Sequence, residues 1–282
     1  MNTAYPFRRW KGHILEALTV LCVGVVLVPL LLVLAFLARA GASALNLEFF
    51  TALPGAAGEP GGGMANAIVG SVYLLILAST LGIPVGVFAG VFLAEHPHTK
   101  LARLTRLAAD VLNGTPSIIM GVFAYILVVL PLRHFSALAG GVALGVMLIP
   151  IVVRTTEEMV LLVPQSVREA SLALGIPRWK TTLRVVIPTA AAGILTGIMV
   201  GLARIAGETA PLLFTAFGNR FWNWNPLKPI AALPLQIFAY AISPFDDWHR
   251  QAWAGALVLV TIVLLTSIVG RAMAVRRART IL

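Results

Sequence analysis

Arg204 and Glu208 stand four residues apart in the stretch RIAGETAP, inside a run from Ala190 to Ala216 that is otherwise almost wholly apolar or small. A guanidinium in such a place offers one kind of chemistry. It presents a planar fork of N–H donors to an oxyanion where water is scarce. A charge turned toward lipid is costly, so intramembrane charges face the bundle interior or a water-filled cavity. On a helical wheel Gly193, Gly197, Gly201, Arg204 and Glu208 share a sector of about 90°. The face with the small residues is therefore also the charged face, and the spacing allows Arg204 to pair with Glu208. Two readings follow: a neutralised pair that clasps helices together, or part of a path for an anion.

A second cluster, Arg154 with Glu157 and Glu158 in RTTEEM, has spacings of three and four that again permit pairing. It sits nearer a span end, which suits a snorkelling, structural role. Other chemistries lack their residues. The sequence contains no GxxxxGK[ST] for ATP and no HExxH, GxSxG or CxxC. The five histidines, at 13, 96, 98, 134 and 249, fall at or near span ends without metal-ligand spacing. Neither a catalytic residue, a metal nor a cofactor is expected on this chain.

The elements that must position these charges are transmembrane helices. Of 282 residues 59% are hydrophobic and only 11% charged, and mean hydropathy is +0.92. Soluble domains carry about 25% charged residues, so the chain is an all-α integral membrane protein with lipid around it. Its net charge of +10 speaks of orientation here, and nucleic acid is not an expected partner. Spanning takes about 20 apolar residues. Six segments qualify, roughly 14–38, 66–94, 110–132, 138–163, 189–215 and 252–273. The third is the weakest, because Asn113, Gly114, Thr115 and Pro116 interrupt its start. The first is too long for a signal-peptide core and has no A-x-A site after it, so it reads as a retained helix. Cys22 within it reads as a small apolar residue.

The basic residues orient the bundle. Arg39, Arg133, Arg220, Lys228 and Arg250 lie on one side, and Arg154 and Arg204 lie inside spans. The remaining fourteen of 21, including Arg8, Arg276, Arg277 and Arg279, lie on the other side. The positive-inside rule makes that side, and both termini, cytoplasmic. The external loops are about 39–65, Gly- and Pro-rich and read as flexible, and about 216–251. The second places Trp222, Trp224, Trp248 and Trp253 where aromatics anchor the membrane interface. Its PIAALPLQIFAYAI is apolar but too short to span, as an interfacial or re-entrant helix would be. Gly82, Gly86 and Gly90 in the second span, like Gly193, Gly197 and Gly201 in the fifth, recur every four residues and predict close helix packing.

The cytoplasmic loop 164–188 reads as structured. Ser166 and Glu169 match a capping box, Gly175 suits a left-handed stop, and Pro177 suits the first turn of a second helix, which is expected to end near Pro188. Glu169, Ala170 and Ser171, then Gly175, then Val185, Ile187 and Pro188 resemble the EAA loop of permease subunits of bacterial ABC importers, with Ser171 where the motif has its second Ala. PSIIMGVFAY, VVRTTEEM, EASLALGIPRWKT and ARIAGETAPLLFTA look like the phosphate-specific permeases of these importers. The matching segments are spread over roughly residues 66 to 260.

The resemblance implies a type I (MetI-like) permease fold. A tail, helix and external loop would occupy residues 1–65, and the permease domain 66–282. It further implies phosphate transport across an inner membrane, with Arg204 and Glu208 on the substrate path. Glu169, Ala170 and Gly175 would couple to an ATPase. Implied partners are a second permease, a cytoplasmic ATPase dimer that binds the ATP, and an external phosphate-binding protein. Left open are a permease for another oxyanion or solute, and a membrane enzyme or stand-alone carrier. The enzyme lacks a catalytic constellation, and the carrier would have no use for an ATPase-docking loop.

Overall fold

The computed structural model describes the backbone of residues 4–281 and the side chains of residues 9–272. Arg8, Arg276, Arg277 and Arg279, counted above among the cytoplasmic charges, lie outside the residues whose side chains are described. In chain order the helices are α1 (Ala4–Ala42), α2 (Leu47–Thr51), α3 (Ala65–Glu95), α4 (Lys100–Gly114) and α5 (Ser117–Leu132). Next come α6 (Ala137–Leu161), α7 (Gln165–Ala173), α8 (Arg178–Ala206), α9 (Ala210–Leu213), α10 (Leu233–Ala241) and α11 (Asp246–Ile281). The architecture is all-α, as the composition requires.

Five of these helices, α1, α3, α6, α8 and α11, are long and apolar enough to span alone. The expected third span, 110–132, is instead divided. Residues 110–114 complete α4, and the chain turns by 108° before α5. Pro116 has no N–H to donate and biases Thr115 toward extended backbone, where it lies (φ −79°, ψ 133°). The count reaches six only if α4 and α5 together make one broken span.

The fifth span also differs from 189–215. It begins at Arg178, runs straight through Pro188 and stops at Ala206. A π turn over Thr182–Val186 precedes the proline, with Ile187 donating to the carbonyl of Thr182. The extra residue shifts the hydrogen-bond register just where Pro188 lacks a donor. Pro131 follows a matching turn over Tyr125–Val129, where Leu130 donates to Tyr125. The stop comes from Gly207 and from Pro211, which can neither donate to the Gly207 carbonyl nor avoid crowding it.

The centre of the bundle is α6. Of its most apolar stretch 67% is buried, against 6% for α1, which packs on α11. Both glycine triplets point at α6. Gly82, Gly86 and Gly90 of α3 meet Leu148, Val152 and Thr156, each pair one turn beyond the last. Gly193, Gly197 and Gly201 of α8 meet Met159, Thr155 and the Leu148/Ile151 pair from another side. The small-residue pattern thus brings two backbones onto one helix.

The external segments are more ordered than their composition suggests. Pro54 bridges Gly62, whose N–H donates to Glu48 Oε1 at 2.9 Å, so the first loop is a pinned turn and not the flexible segment expected. In the second, α10 is a nine-residue helix, too short to span, as expected. Its Leu233 N–H donates to the buried Ser71 Oγ of α3 at 2.7 Å. Trp248 stacks on Tyr240 at 4.4 Å and Trp253 meets Phe36 edge-on at 5.2 Å, so these two pack against protein. Trp222 and Trp224 stack on each other at 6.2 Å.

Candidate translocation path and coupling loop

Arg204 lies one turn beyond Gly201, and Gly201 meets Leu148 and Ile151 at the middle of α6. The arginine is therefore near mid-depth in the bundle. Its guanidinium is exposed in the single chain, and Nη1 lies 3.5 Å from Asn113 Oδ1 at the end of α4. Among the described residues no carboxylate stands within ion-pair distance of it. The expected pairing with Glu208 is not made. The i, i+4 relation holds only along a helix, and the helix ends at Ala206. Glu208 sits half-buried in the break, its N–H donating to the Ile205 carbonyl at 3.2 Å. The chain then crosses to α5, where Pro211 packs on Gly121.

Four charges form a second group nearer the loop between α6 and α7. Arg106 Nε donates to Glu157 Oε1 at 2.6 Å, Glu157 Oε2 accepts from Arg154 Nη1 at 3.2 Å, and Arg154 also pairs with Asp110. Arg106 further donates to the carbonyls of Pro97 and Leu93 at 3.1 and 3.2 Å, which ties α4 to the end of α3. Glu157 is buried between the two arginines, and the pairing with Arg154 that the spacing permits is made. Glu158 is exposed and makes no ion pair among those described.

Arg106 and Asp110 were not singled out from the sequence, and Asn113 only as part of the interruption of the third span. A signal was there. They stand at i, i+4 and i+7, one face of a helix. The span assignment had divided α4 between a loop and a membrane segment.

The loop 164–188 is a helix, a left-handed turn and the start of α8. Gly175 has φ +78°, a region that favours glycine. Gly175 N–H donates to the Leu172 carbonyl at 2.9 Å and Ile176 N–H to that of Ser171 at 3.3 Å, which closes the end of α7. The expected capping box is absent. The helix opens at Pro164, two residues early for Ser166 to cap it. Pro177 is the N-cap of α8, one position before the first turn.

Glu169 and Ala170 face outward, and Leu174 is 80% and Trp179 62% exposed beside them. The opposite side is fastened. Arg168 donates to Glu95 Oε1 at 2.5 Å and to the Val160 carbonyl at 3.0 Å, so α7 is held to the ends of both α3 and α6. Ser171 Oγ and Thr181 Oγ1, both buried, share a hydrogen bond of 2.9 Å between α7 and α8. The loop thus presents Glu169, Ala170 and Gly175 on an exposed outer side and is fastened behind to α3, α6 and α8.

A glycine-keyed bundle of long apolar helices defines a polytopic membrane protein. Residues 82–279 match the family described as binding-protein-dependent transport system inner membrane component. The chain is 44% identical over 266 residues to the phosphate transport system permease protein PstA of Yersinia pestis, covering 94% of this chain and 90% of the relative. It is 48% identical over 238 residues to PstA of Xylella fastidiosa, covering 84% and 83%.

Among solved structures, inward-facing conformations of the MetNI methionine ABC transporter superpose with a TM-score of 0.59 at 19% identity, over 75% of this chain and 93% of that one. An amino acid ABC transporter with histidines gives a TM-score of 0.53 at 17% identity, over 76% and 92%. These two show the fold. The chain belongs to the binding-protein-dependent inner-membrane permeases, and within them to the branch whose curated members are called PstA. It is a subunit of an ABC transporter, and its apolar helices place it in the membrane.

Proposed function

We propose that this chain is the PstA-type subunit of an ATP-driven phosphate importer and lines part of the phosphate path. The observation that carries the reading is Arg204, a guanidinium near mid-depth that among the described residues has no carboxylate against it and an amide oxygen at its side. Phosphate crosses only where donors replace its water, and an arginine fork does so with two bonds at once. The relatives' names supply the anion. Glu208, in the break one turn on, lends negative charge that keeps anion binding weak enough for release.

Glu169, Ala170 and Gly175 form the outward tip against which a cytoplasmic ATPase dimer of the PstB type docks. ATP is bound and hydrolysed there, since this chain carries no P-loop. A PstC-type permease completes the path beside Arg204, and a PstS-type phosphate-binding protein delivers from outside. Both termini lie in the cytoplasm by the distribution of Lys and Arg.

The test is transport of labelled phosphate by the reconstituted four-component complex, with ATP and without, against labelled sulfate. ATP-dependent movement of phosphate in preference to sulfate supports the reading. Preference for sulfate makes this a permease for another oxyanion, and movement without ATP makes it a carrier.

A further inference from the structure

Successive turns of one face of α4 meet Arg154 and Arg204. Asn113 meets Arg204, and Asp110, three residues earlier, meets Arg154. The two contacts are thus about 5 Å apart along the α4 axis. Arg154 lies six residues past Leu148 on α6, about 9 Å closer to the coupling loop. An anion leaving Arg204 toward the ATPase side meets Arg154 next.

The two carboxylates on Arg154 are not equivalent. Glu157 is 7% exposed and is also held by Arg106, so it is a fixed counter-charge. Asp110 is 56% exposed, and its Oδ1 takes the Nε edge of the guanidinium at 3.1 Å together with Nη2. That edge is the pair of donors a phosphate uses, and a carboxylate so exposed is screened and loosely held.

We infer that Arg154 is a second oxyanion station, on the release side of Arg204, and that Asp110 is its displaceable occupant. Asp110 fills the Nε/Nη2 edge when no anion is there, and on return it competes the departing phosphate off. Asp110 is a positioning residue, since it acts through Arg154. The inference rests on the phosphate-permease reading.

The test is ATP-driven phosphate transport by the full reconstituted complex, measured against rising inorganic phosphate on the ATPase side. With Asp110→Asn, Arg154 loses its competitor, and the half-inhibiting phosphate concentration falls roughly fivefold. Asp110→Glu keeps the competitor and stays near wild type. Adding Arg154→Gln to Asp110→Asn abolishes the gain, and Arg154→Gln alone raises the half-inhibiting concentration. A purely structural role predicts lower assembly without this pattern.

The inference is overturned if Asp110→Asn transports normally with unchanged inhibition, or if its heightened inhibition survives the loss of Arg154. Should the Asp110 variants fail to assemble, unchanged inhibition in an assembled Arg154→Gln complex overturns it too. A wild-type complex that moves no phosphate instead brings down the permease reading, and the station with it.

Discussion

A β-carbon added to Gly86 of α3 would lie 2.6 Å from the Cβ of Val152 on α6, closer than any two such carbons pack. The glycine above and the one below it meet α6 in the same way, so the whole α3–α6 seam is set by the absence of side chains. Leu148, met by Gly82 from one side and Gly201 from another, joins that seam to α8.

Replacing Gly86 with Leu is therefore expected to cost about 3 kcal/mol or more, at the upper end for overpacked sites. Gly24 of α1 has nothing within 4 Å of its added carbon, and Gly24→Leu should be silent. Thermal unfolding in detergent, followed by tryptophan fluorescence, separates the two. Equal melting temperatures would mean that the seam does not fix the packing.

Glu157 neutralises two arginines at once. Its replacement by Leu leaves Arg106 without its carboxylate and Arg154 with Asp110 alone, at a cost of roughly 3 kcal/mol, the low end for a buried pair because both arginines are partly exposed. Glu157→Gln keeps the volume and should cost less. The yield of monodisperse protein after solubilisation reads the difference.

Ser171 and Thr181 form a buried hydroxyl pair, so a double-mutant cycle has a definite sign. Thr181→Val alone strands the Ser171 hydroxyl and costs about 1–3 kcal/mol, while Ser171→Ala with Thr181→Val removes both partners and should cost less than the single change. Apparent melting temperatures of the four proteins close the cycle. A double variant as unstable as the sum of the singles would show that the bond does not hold α7 to α8.

Gly175 has φ +78° and open space around it, so any penalty there is one of backbone conformation alone. Gly175→Val should cost about 1–2 kcal/mol, re-aim the exposed tip that carries Glu169 and lower the phosphate moved per ATP hydrolysed several-fold. Gly175→Asn, which tolerates this conformation, should stay near wild type. Equal coupling in both variants would separate the turn from the coupling function.

The parts of this molecule that were legible in the sequence are those written in one residue type or one period. Apolar runs gave the membrane class, glycines every four residues gave the close seams, and Gly175 gave the turn after α7. Asn113 to Pro116 marked the break before α5, but the break after Ala206 was not legible. A hydropathy window counts apolar side chains, and Gly207, Ala210 and Pro211 are apolar or small while they end the hydrogen-bond ladder. Pro188 erred the other way, since a π turn absorbs the missing donor. The polar face of α4 was missed because its meaning lies in partners 44, 51 and 91 residues away. Arg204 and Glu208 looked like a pair for the same reason that they are not one, since sequence spacing speaks only for a helix that continues.

The most direct measurement is ATP-driven uptake of labelled phosphate by the reconstituted complex carrying Arg204→Gln, with assembly and ATPase activity checked against wild type. A loss of uptake of about tenfold or more is predicted, in a complex that still assembles and still hydrolyses ATP, because glutamine offers neither the charge nor the paired donors. Uptake at the wild-type rate would contradict the account, and Arg204 would then be a residue that merely caps the end of α8.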